Sequence, residues 1–151
     1  MLESKLKTYC KQLGFDLVGI IEPASLKKRL PILKKRKAQG LLCSFANQDT
    51  LLRVTPERLL PGIKAILVLG LGYNTKAAGN APANSLTVAK YARGKDYHQV
   101  FKQKMNQVVR YLKNEAEGFE YRMFVDSSPL PERFLAELTG QGWVGQNTCF
   151  Y

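Results

Sequence analysis

KAILVLGL, residues 64–71, is a nearly continuous apolar segment that follows the turn residues Pro61 and Gly62. A short apolar run bounded by turn signals is typical of a β-strand that is covered on both faces, as in α/β proteins. Extended to its limits, the run covers residues 65–73, whereas a transmembrane helix needs about twenty apolar residues. The segment therefore predicts a layered α/β domain and no membrane span.

The patterns on both sides of this segment alternate between helix and strand. The predicted elements are, in chain order, a helix at 2–13, a strand at 15–21, a helix at 24–39, a turn segment at 53–62, a strand at 64–71, a loop at 74–84, an extended segment at 85–93, a long helix from about 96, a third strand at 121–125 and a short helix at 131–138. Pro31 is expected to start or kink a turn in the second helix, and Asp96 to cap the long helix. No repeat and no linker divides the chain, so residues 1–151 are predicted to form a single domain.

The chain is strongly basic. Its 23 Lys and Arg residues and 12 Asp and Glu residues give a formal net charge of +11 over 151 residues. This excess favours a polyanionic partner such as nucleic acid, although a basic protein without such a partner has the same composition. Seven of the basic residues lie between Lys27 and Lys37, where they form either a solvated helix face or a surface that contacts phosphates.

The three cysteines, Cys10, Cys43 and Cys149, are widely spaced and include no C-x-x-C pair. Zinc ribbons and iron–sulfur sites use closely spaced cysteines, so the sequence predicts no metal ligands of these kinds. The odd number and wide spacing also argue against a disulfide scaffold and favour a reducing compartment. Residues 1–10 contain charged side chains and no apolar core of a signal peptide, so a cytoplasmic protein is expected.

Two segments contain more reactive side chains than folding requires. Residues 91–98 include Tyr97 and His98, the only histidine, and residues 124–133 include Asp126 directly after the predicted third strand. Ligands of open α/β sheets lie outside the carboxyl ends of strands, so a partly buried Asp126 would have a raised pKa and could donate a proton. Alternatively, its carboxylate only accepts backbone amides in the following turn. For His98, a structural hydrogen-bonding role is the alternative to ligand binding, and zinc is not expected because no second ligand stands at a suitable spacing.

Six motifs occur in a characteristic order. They are Phe-Asp-x-Val-Gly-Ile at 15–20, Arg-Val-Thr-Pro at 53–56, Leu-Leu-Pro-Gly at 59–62, Tyr-Ala-Arg-Gly-x-Asp-Tyr-His at 91–98, Val-Asp-Ser-x-Pro-Leu followed by Glu-Arg at 125–133, and Gly-x-Gly-Trp-x-Gly-Gln-Asn-Thr at 140–148. Together they resemble the epoxyqueuosine reductase family over nearly the whole chain. One departure is Gln146, which stands where the family has lysine and removes a cation from the pocket region.

The resemblance implies a nitroreductase-like α/β fold, similar to the cobalamin domain of reductive dehalogenases, with a layered sheet and flanking helices. It also implies that cobalamin is the cofactor and that the epoxide of epoxyqueuosine in a tRNA anticodon is reduced to queuosine. In the family a ferredoxin-like domain with two 4Fe–4S clusters follows the cobalamin domain. Residues 1–151 end before any cluster cysteines. The chain is therefore expected to need an iron–sulfur domain or electron donor in cis or in trans, and to be inactive alone with physiological donors.

The resemblance also implies roles for individual residues. Asp126 falls on the family's proton donor, and Arg53 falls on a residue that contacts cobalamin. A guanidinium group suits the amides and phosphate of that cofactor because its donors are planar and permanently charged. The complete set of implied positions is Arg53, Ala89, Asp126, Asn147 and Phe150 for cobalamin, and Tyr97, His98 and Arg133 for the substrate.

Two other functions stay open at this point. A non-catalytic basic domain that kept the fold would bind tRNA in a salt-dependent manner and would take up no cobalamin. A relative of the reductive dehalogenases that acts on small organohalides would fit the fold, but neither the charge nor the cytoplasmic start favours it.

Overall fold

The computed structural model describes residues 1–73, 88–92 and 94–151. The helices are α1 (Leu2–Gln12), α2 (Leu30–Ala38), α3 (Tyr97–Glu115) and α4 (Glu132–Leu138), and the strands are β1 (Leu17–Ile21) and β2 (Ile66–Gly70). Short 3-10 segments are formed by Pro23–Arg29, Leu52–Val54, Pro56–Arg58 and Lys90–Ala92. In this part of the chain, no helix is both long enough and apolar enough to cross a membrane.

β1 and β2 form an antiparallel pair in which Ile21 lies opposite Ile66. The side chain of Gln141 lies along the other edge of β1, where its Nε2 donates to the carbonyl oxygen of Val18 at 2.8 Å. A side-chain amide in this position satisfies a strand carbonyl that, among residues 1–73, 88–92 and 94–151, has no partner strand on that edge. The segment that follows α4 is thereby tied to the sheet.

Helices cover the sheet on both faces. Successive strand residues point to opposite sides, so each face of the sheet contributes to its own core cluster. One core cluster contains Leu6, Cys10, Phe15, Val18 and Val108, which join α1 and α3 to the sheet. The other core cluster contains Ile21, Leu26, Leu33, Val54 and Leu135, which join α2, α4 and two 3-10 segments to the opposite face. The predicted α/β class is confirmed.

The C-terminal end of α4 packs directly on β1 at Gly19. A Cβ atom on Gly19 would lie 2.3 Å from Cγ2 of Thr139, so a larger residue could not keep this approach without a shift. Leu135, in the middle of α4, is buried in the core. These contacts fix α4 on the sheet and define where its first residue, Glu132, lies.

Most predicted elements are confirmed with shifts of a few residues at their ends. The helix predicted at 24–39 is divided into a 3-10 segment and α2, and Pro31 lies in the first turn of α2. Asp96 caps α3 as expected, since its carboxylate accepts the backbone N–H of His98 at 2.9 Å. Pro131 directly precedes the first residue of α4.

Two predictions of extended structure are wrong. Residues 121–125 form no strand. A strand requires a neighbouring strand to pair with, and within the described ranges the sheet consists of β1 and β2. The segment predicted as extended at 85–93 contains a 3-10 turn at Lys90–Ala92. Residues 74–87, with the predicted loop, and Arg93 lie outside the described residues.

Candidate active site

Asp126 lies in the irregular segment between α3 and α4. Its φ angle is +53°, in the left-handed region that residues other than glycine, asparagine and aspartate seldom adopt. Its side chain is 55% exposed. The prediction of a partly buried Asp126 at the end of a strand is therefore wrong on both counts, because no strand precedes it and the side chain lies at the surface.

The first turn of α3 brings two ring side chains to Asp126. The hydroxyl group of Tyr97 donates a hydrogen bond to Oδ2 of Asp126. Nε2 of His98 lies 3.8 Å from the same oxygen, and Nδ1 of His98 lies 2.8 Å from Oδ1 of Asp96. Among the residues that the structure describes, no backbone amide donates to the Asp126 carboxylate, so the geometry does not support its interpretation as a turn acceptor.

Electrostatics fix the protonation of two neighbours of Asp126. The hydrogen bond to Asp126, together with partial burial, raises the pKa of Tyr97 to about 12. The phenol therefore stays protonated at neutral pH and acts as a donor. The hydrogen bond from the His98 side chain lowers the pKa of Asp96, so this carboxylate stays charged and holds the imidazole ring.

Glu132 is the second carboxyl group at this site. The pKa of Glu132 is raised to about 7, and the largest cause is partial burial of its carboxyl group. The negative charge of Asp126 and a hydrogen bond with the Asp126 side chain raise it further. The residue as a whole is exposed. Sequence reasoning missed Glu132, although it belongs to the same motif as Asp126. We call Tyr97, His98, Asp126 and Glu132 the Asp126 cluster.

An open cavity of about 410 Å³ adjoins the Asp126 cluster. Its walls are mostly aromatic and basic and include Tyr73, Tyr91, Lys95, Tyr97 and Phe101. Tyr97 belongs both to the cavity wall and to the cluster, so the cavity extends to the residue that binds Asp126. Another open cavity of about 390 Å³, between α1 and Tyr111, shares no residue with the cluster.

Arg53 lies in the 3-10 segment Leu52–Val54 and is half-buried. Burial and the positive charges of Arg36 and Arg29 lower the pKa of Arg53. The nearby acidic residue Asp49 is paired with Arg58 at 3.0 Å. No salt bridge within the described ranges includes Arg53, so its guanidinium group is available to a ligand with carbonyl or phosphate oxygens.

Residues 143–151 form a small closed loop. Trp143 and Tyr151 exchange two backbone hydrogen bonds of 3.0 Å, and Nδ2 of Asn147 donates to the Tyr151 hydroxyl group at 2.6 Å. Gly142 allows this closure, because a Cβ atom there would lie 1.9 Å from the carbonyl oxygen of Tyr151. The loop carries Asn147 and Phe150 and exposes the rings of Trp143 and Tyr151.

The structure brings together some of the predicted site residues and not others. Tyr97, His98 and Asp126 meet directly. Within the described part of the chain, no hydrogen bond or ion pair links that group to Arg53, Ala89, Arg133, Asn147 or Phe150. Ala89 is exposed just before the 3-10 turn, and Arg133 is exposed next to Glu132. In those same ranges, no three His, Cys, Asp or Glu side chains are placed to hold a metal ion.

Comparison with known proteins identifies the family. Residues 53–127 match the family described as "Epoxyqueuosine reductase QueG, DUF1730". The epoxyqueuosine reductase of Cyclobacterium marinum is 35% identical over 146 residues, which make up 95% of this chain and 47% of that protein. The chain belongs to the epoxyqueuosine reductase family. It spans about half the length of the curated relatives that it matches.

Solved structures of epoxyqueuosine reductases have the same fold. One, with a tRNA-Tyr epoxyqueuosine-modified stem-loop, is 30% identical with a TM-score of 0.83, and the alignment covers 99% of this chain and 40% of that one. Another, from Bacillus subtilis, has an aspartate-bearing catalytic loop that is swung out of the active site; it is 30% identical with a TM-score of 0.79 and the same coverage.

Proposed function

We propose that this chain is the cobalamin-binding and substrate-binding part of an enzyme that reduces epoxyqueuosine in tRNA to queuosine. The hydrogen bond between Tyr97 and Asp126, beside an open cavity in a chain of this family, carries the proposal. Asp126 lies in an irregular loop, and the Bacillus subtilis relative is described with a catalytic aspartate loop. The relative that was solved with a modified tRNA stem-loop supports tRNA as the partner.

The reaction defines what Asp126 has to do. Conversion of an epoxide to an alkene breaks two carbon–oxygen bonds, consumes two electrons and two protons, and releases water. The Asp126 carboxyl group hands a proton to the departing oxygen. Tyr97 orients that carboxyl group through its hydroxyl group, and His98 lines the substrate side of the pocket. A positioned acid of this kind accelerates proton-coupled steps by about 10²–10⁴-fold.

The residues present fit cobalamin as the cofactor. Its corrin ring is flat and fringed with amides, and its nucleotide tail carries a phosphate. Arg53 has no carboxylate partner within the described ranges and supplies planar donors, while Asn147 supplies an amide group. Ala89 and Phe150 would complete the contacts by backbone and packing. When bound, cobalamin supplies the low-potential electrons that side chains cannot provide.

The electrons must reach that cofactor from outside these 151 residues. Two 4Fe–4S clusters need about eight cysteine ligands, and the chain has three cysteines. We propose a ferredoxin-like iron–sulfur domain or a separate donor, in cis or in trans, and inactivity of residues 1–151 alone with physiological donors. We also propose that the helix-covered sheet is part of a nitroreductase-like architecture, and that the reaction takes place in the cytoplasm, where tRNA is modified.

Cobalamin uptake tests the proposal directly. The purified chain is expected to bind cobalamin with a change in corrin absorbance, and Arg53→Gln is expected to weaken binding by about tenfold, because a charge-assisted hydrogen bond is lost. Arg58→Gln is the matched control, since Arg58 is exposed and already paired with Asp49. Failure of the unaltered chain to take up cobalamin would reject the proposal, and equal losses in both variants would reject the role of Arg53.

A non-catalytic tRNA-binding domain is the second candidate, favoured by the exposed basic residues of 27–37. Each phosphate contact lowers the slope of log affinity against log salt by about 0.7 on single strands, so the double variant Lys34→Gln, Lys35→Gln is expected to make the slope shallower by about 1.4. The control is Lys7→Gln, Lys11→Gln on α1, with the same change in charge. Salt-dependent tRNA binding without cobalamin uptake would favour this candidate, whereas identical slopes in both double variants would exclude the 27–37 surface.

A further inference from the structure

We propose that Gln141 positions the closed loop of residues 143–151 for cofactor binding by clamping it to the edge of β1. This inference rests on the proposed function, in which Asn147 and Phe150 of that loop contact cobalamin. Gln141 is a positioning residue in this scheme, since it acts through the loop and not on the cofactor itself. Its side chain pairs with β1, and its backbone leads into the loop through a single glycine.

The Gln141 side chain pairs with both backbone polar groups of Val18. Its Nε2 donates to the carbonyl oxygen of Val18 at 2.8 Å, and its Oε1 accepts the N–H group of Val18 at 3.5 Å. Val18 is 3% exposed, and buried backbone groups without hydrogen-bond partners are costly. The amide therefore does for Val18 what a residue of a neighbouring strand would do. A side chain that lacks either the donor or the acceptor cannot do the same.

Thr139 holds the same segment against the next residue of β1. Its side chain lies against Gly19, where a Cβ atom would be 2.3 Å from Cγ2 of Thr139. The hydroxyl group of Thr139 donates to the carbonyl oxygen of Ala136 at 2.6 Å, and its oxygen accepts the backbone N–H of Gln141 at 3.3 Å. The segment that enters the loop is therefore held at two successive strand residues, which fixes its direction as well as its position.

Within the described ranges, the closed loop itself makes no hydrogen bond to the sheet or to the helices. Trp143 exchanges two backbone hydrogen bonds with Tyr151, and the other hydrogen bonds of the loop also join its own residues. Gly142 connects Gln141 to the loop, and a Cβ atom on Gly142 would lie 2.6 Å from Cζ of Phe150. Without the clamp, the loop and its Phe150 ring are free to turn about Gly142 as a unit.

A loop that is already in place binds a cofactor more tightly than a loop that must first be ordered. When only a fraction of the molecules hold the loop in the binding position, the measured dissociation constant rises by the inverse of that fraction. The strength of one hydrogen bond changes such an equilibrium by about two- to tenfold. Loss of the Gln141 clamp is therefore expected to weaken cobalamin binding by about the same factor.

Trp143 is the single tryptophan of the chain, so its fluorescence reports on the loop without any cofactor. Gln141→Met keeps the approximate length of the side chain and removes the amide. This variant is expected to show a larger fast component in the anisotropy decay of Trp143, with an unchanged far-UV circular dichroism spectrum. Gln107→Met, at an exposed position of α3, is the matched control. An unchanged decay in Gln141→Met, or the same change in both variants, would overturn the inference.

Gln141→Glu separates the two hydrogen bonds of the clamp. At pH 7 its carboxylate can still accept the N–H group of Val18, but it cannot donate to the carbonyl oxygen. The loop is therefore expected to be as mobile in Gln141→Glu as in Gln141→Met. A decay like that of the unaltered chain would show that the donated hydrogen bond does not restrain the loop, and would overturn the clamp.

Cobalamin titration then measures the consequence for binding. Gln141→Met and Gln141→Glu are expected to bind about two- to tenfold more weakly than the unaltered chain, and Gln107→Met is expected to bind equally well. A more mobile loop with unchanged cobalamin affinity would show that Gln141 does not position the cofactor contacts, and would overturn the inference. Failure of the proposed function is distinct from either result, because the unaltered chain would then take up no cobalamin while the Trp143 measurement stays valid.

Discussion

Replacement of Asp126 by asparagine is expected to lower the rate of queuosine formation by about 10²–10⁴-fold, the usual contribution of a positioned general acid. The asparagine amide has the same shape as the carboxyl group and can still accept the hydrogen bond from Tyr97, but it has no acidic proton to give. The measurement uses the cobalamin-loaded chain with a chemical reductant, and nucleoside analysis of the stem-loop reports queuosine.

The substitution is well matched to the backbone at this position. Asp126 has a φ angle of +53°, and asparagine tolerates the left-handed region at least as well as aspartate. Folding and cobalamin uptake are therefore expected to be unchanged, and Ser127→Ala, at the exposed neighbour, is expected to keep the full rate. Queuosine formation at the normal rate by Asp126→Asn would show that Asp126 is not the proton donor.

The sequence correctly predicts the helices and strands whose residues follow a local rule. The apolar spacing along α3 and the capping carboxylate of Asp96 lie within one stretch of chain, so the sequence predicts both. The strand predicted at 121–125 failed because an apolar stretch reports burial and not a pairing partner. Whether such a stretch becomes a strand depends on hydrogen bonds to a distant segment, which local patterns do not encode.

In the candidate site, too, the sequence predicts the local motifs but not the contacts between distant segments. The motifs at 91–98 and 124–133 were recognised separately, and the resemblance to the family gave roles to Tyr97, His98 and Asp126. Their contact joins residues 29 positions apart in the chain, and only the packing of the segment before α4 reveals it. Glu132 was overlooked because an acidic first residue of a helix is ordinary, since it interacts favourably with the helix dipole. The raised pKa of Glu132 comes from partial burial of its carboxyl group and from the negative charge of Asp126, which local patterns do not encode.

Leu26→Ala is expected to destabilise the chain by about 2–5 kcal/mol, the cost of removing a large buried side chain from a packed core. Leu26 is 0% exposed and packs with Val54 and Leu135 in the core beneath α4. Ile32→Ala is the matched control, because Ile32 belongs to the adjacent helix α2 and is 46% exposed. The control is expected to change the free energy of unfolding by no more than about 0.5 kcal/mol, measured by urea denaturation.

The same variant distinguishes support of the site from chemistry at the site. Val54 follows Arg53, and Leu135 lies in α4 three residues after Glu132, so loosening the core around Leu26 disturbs the supports of both the proposed cobalamin contact at Arg53 and the Asp126 cluster. Leu26→Ala is therefore expected to weaken cobalamin uptake as well as stability, whereas Asp126→Asn weakens neither. Equal stability of Leu26→Ala and Ile32→Ala would contradict the packing described for this core. It would mean that the buried Leu26 side chain contributes no more to stability than the half-exposed Ile32 side chain.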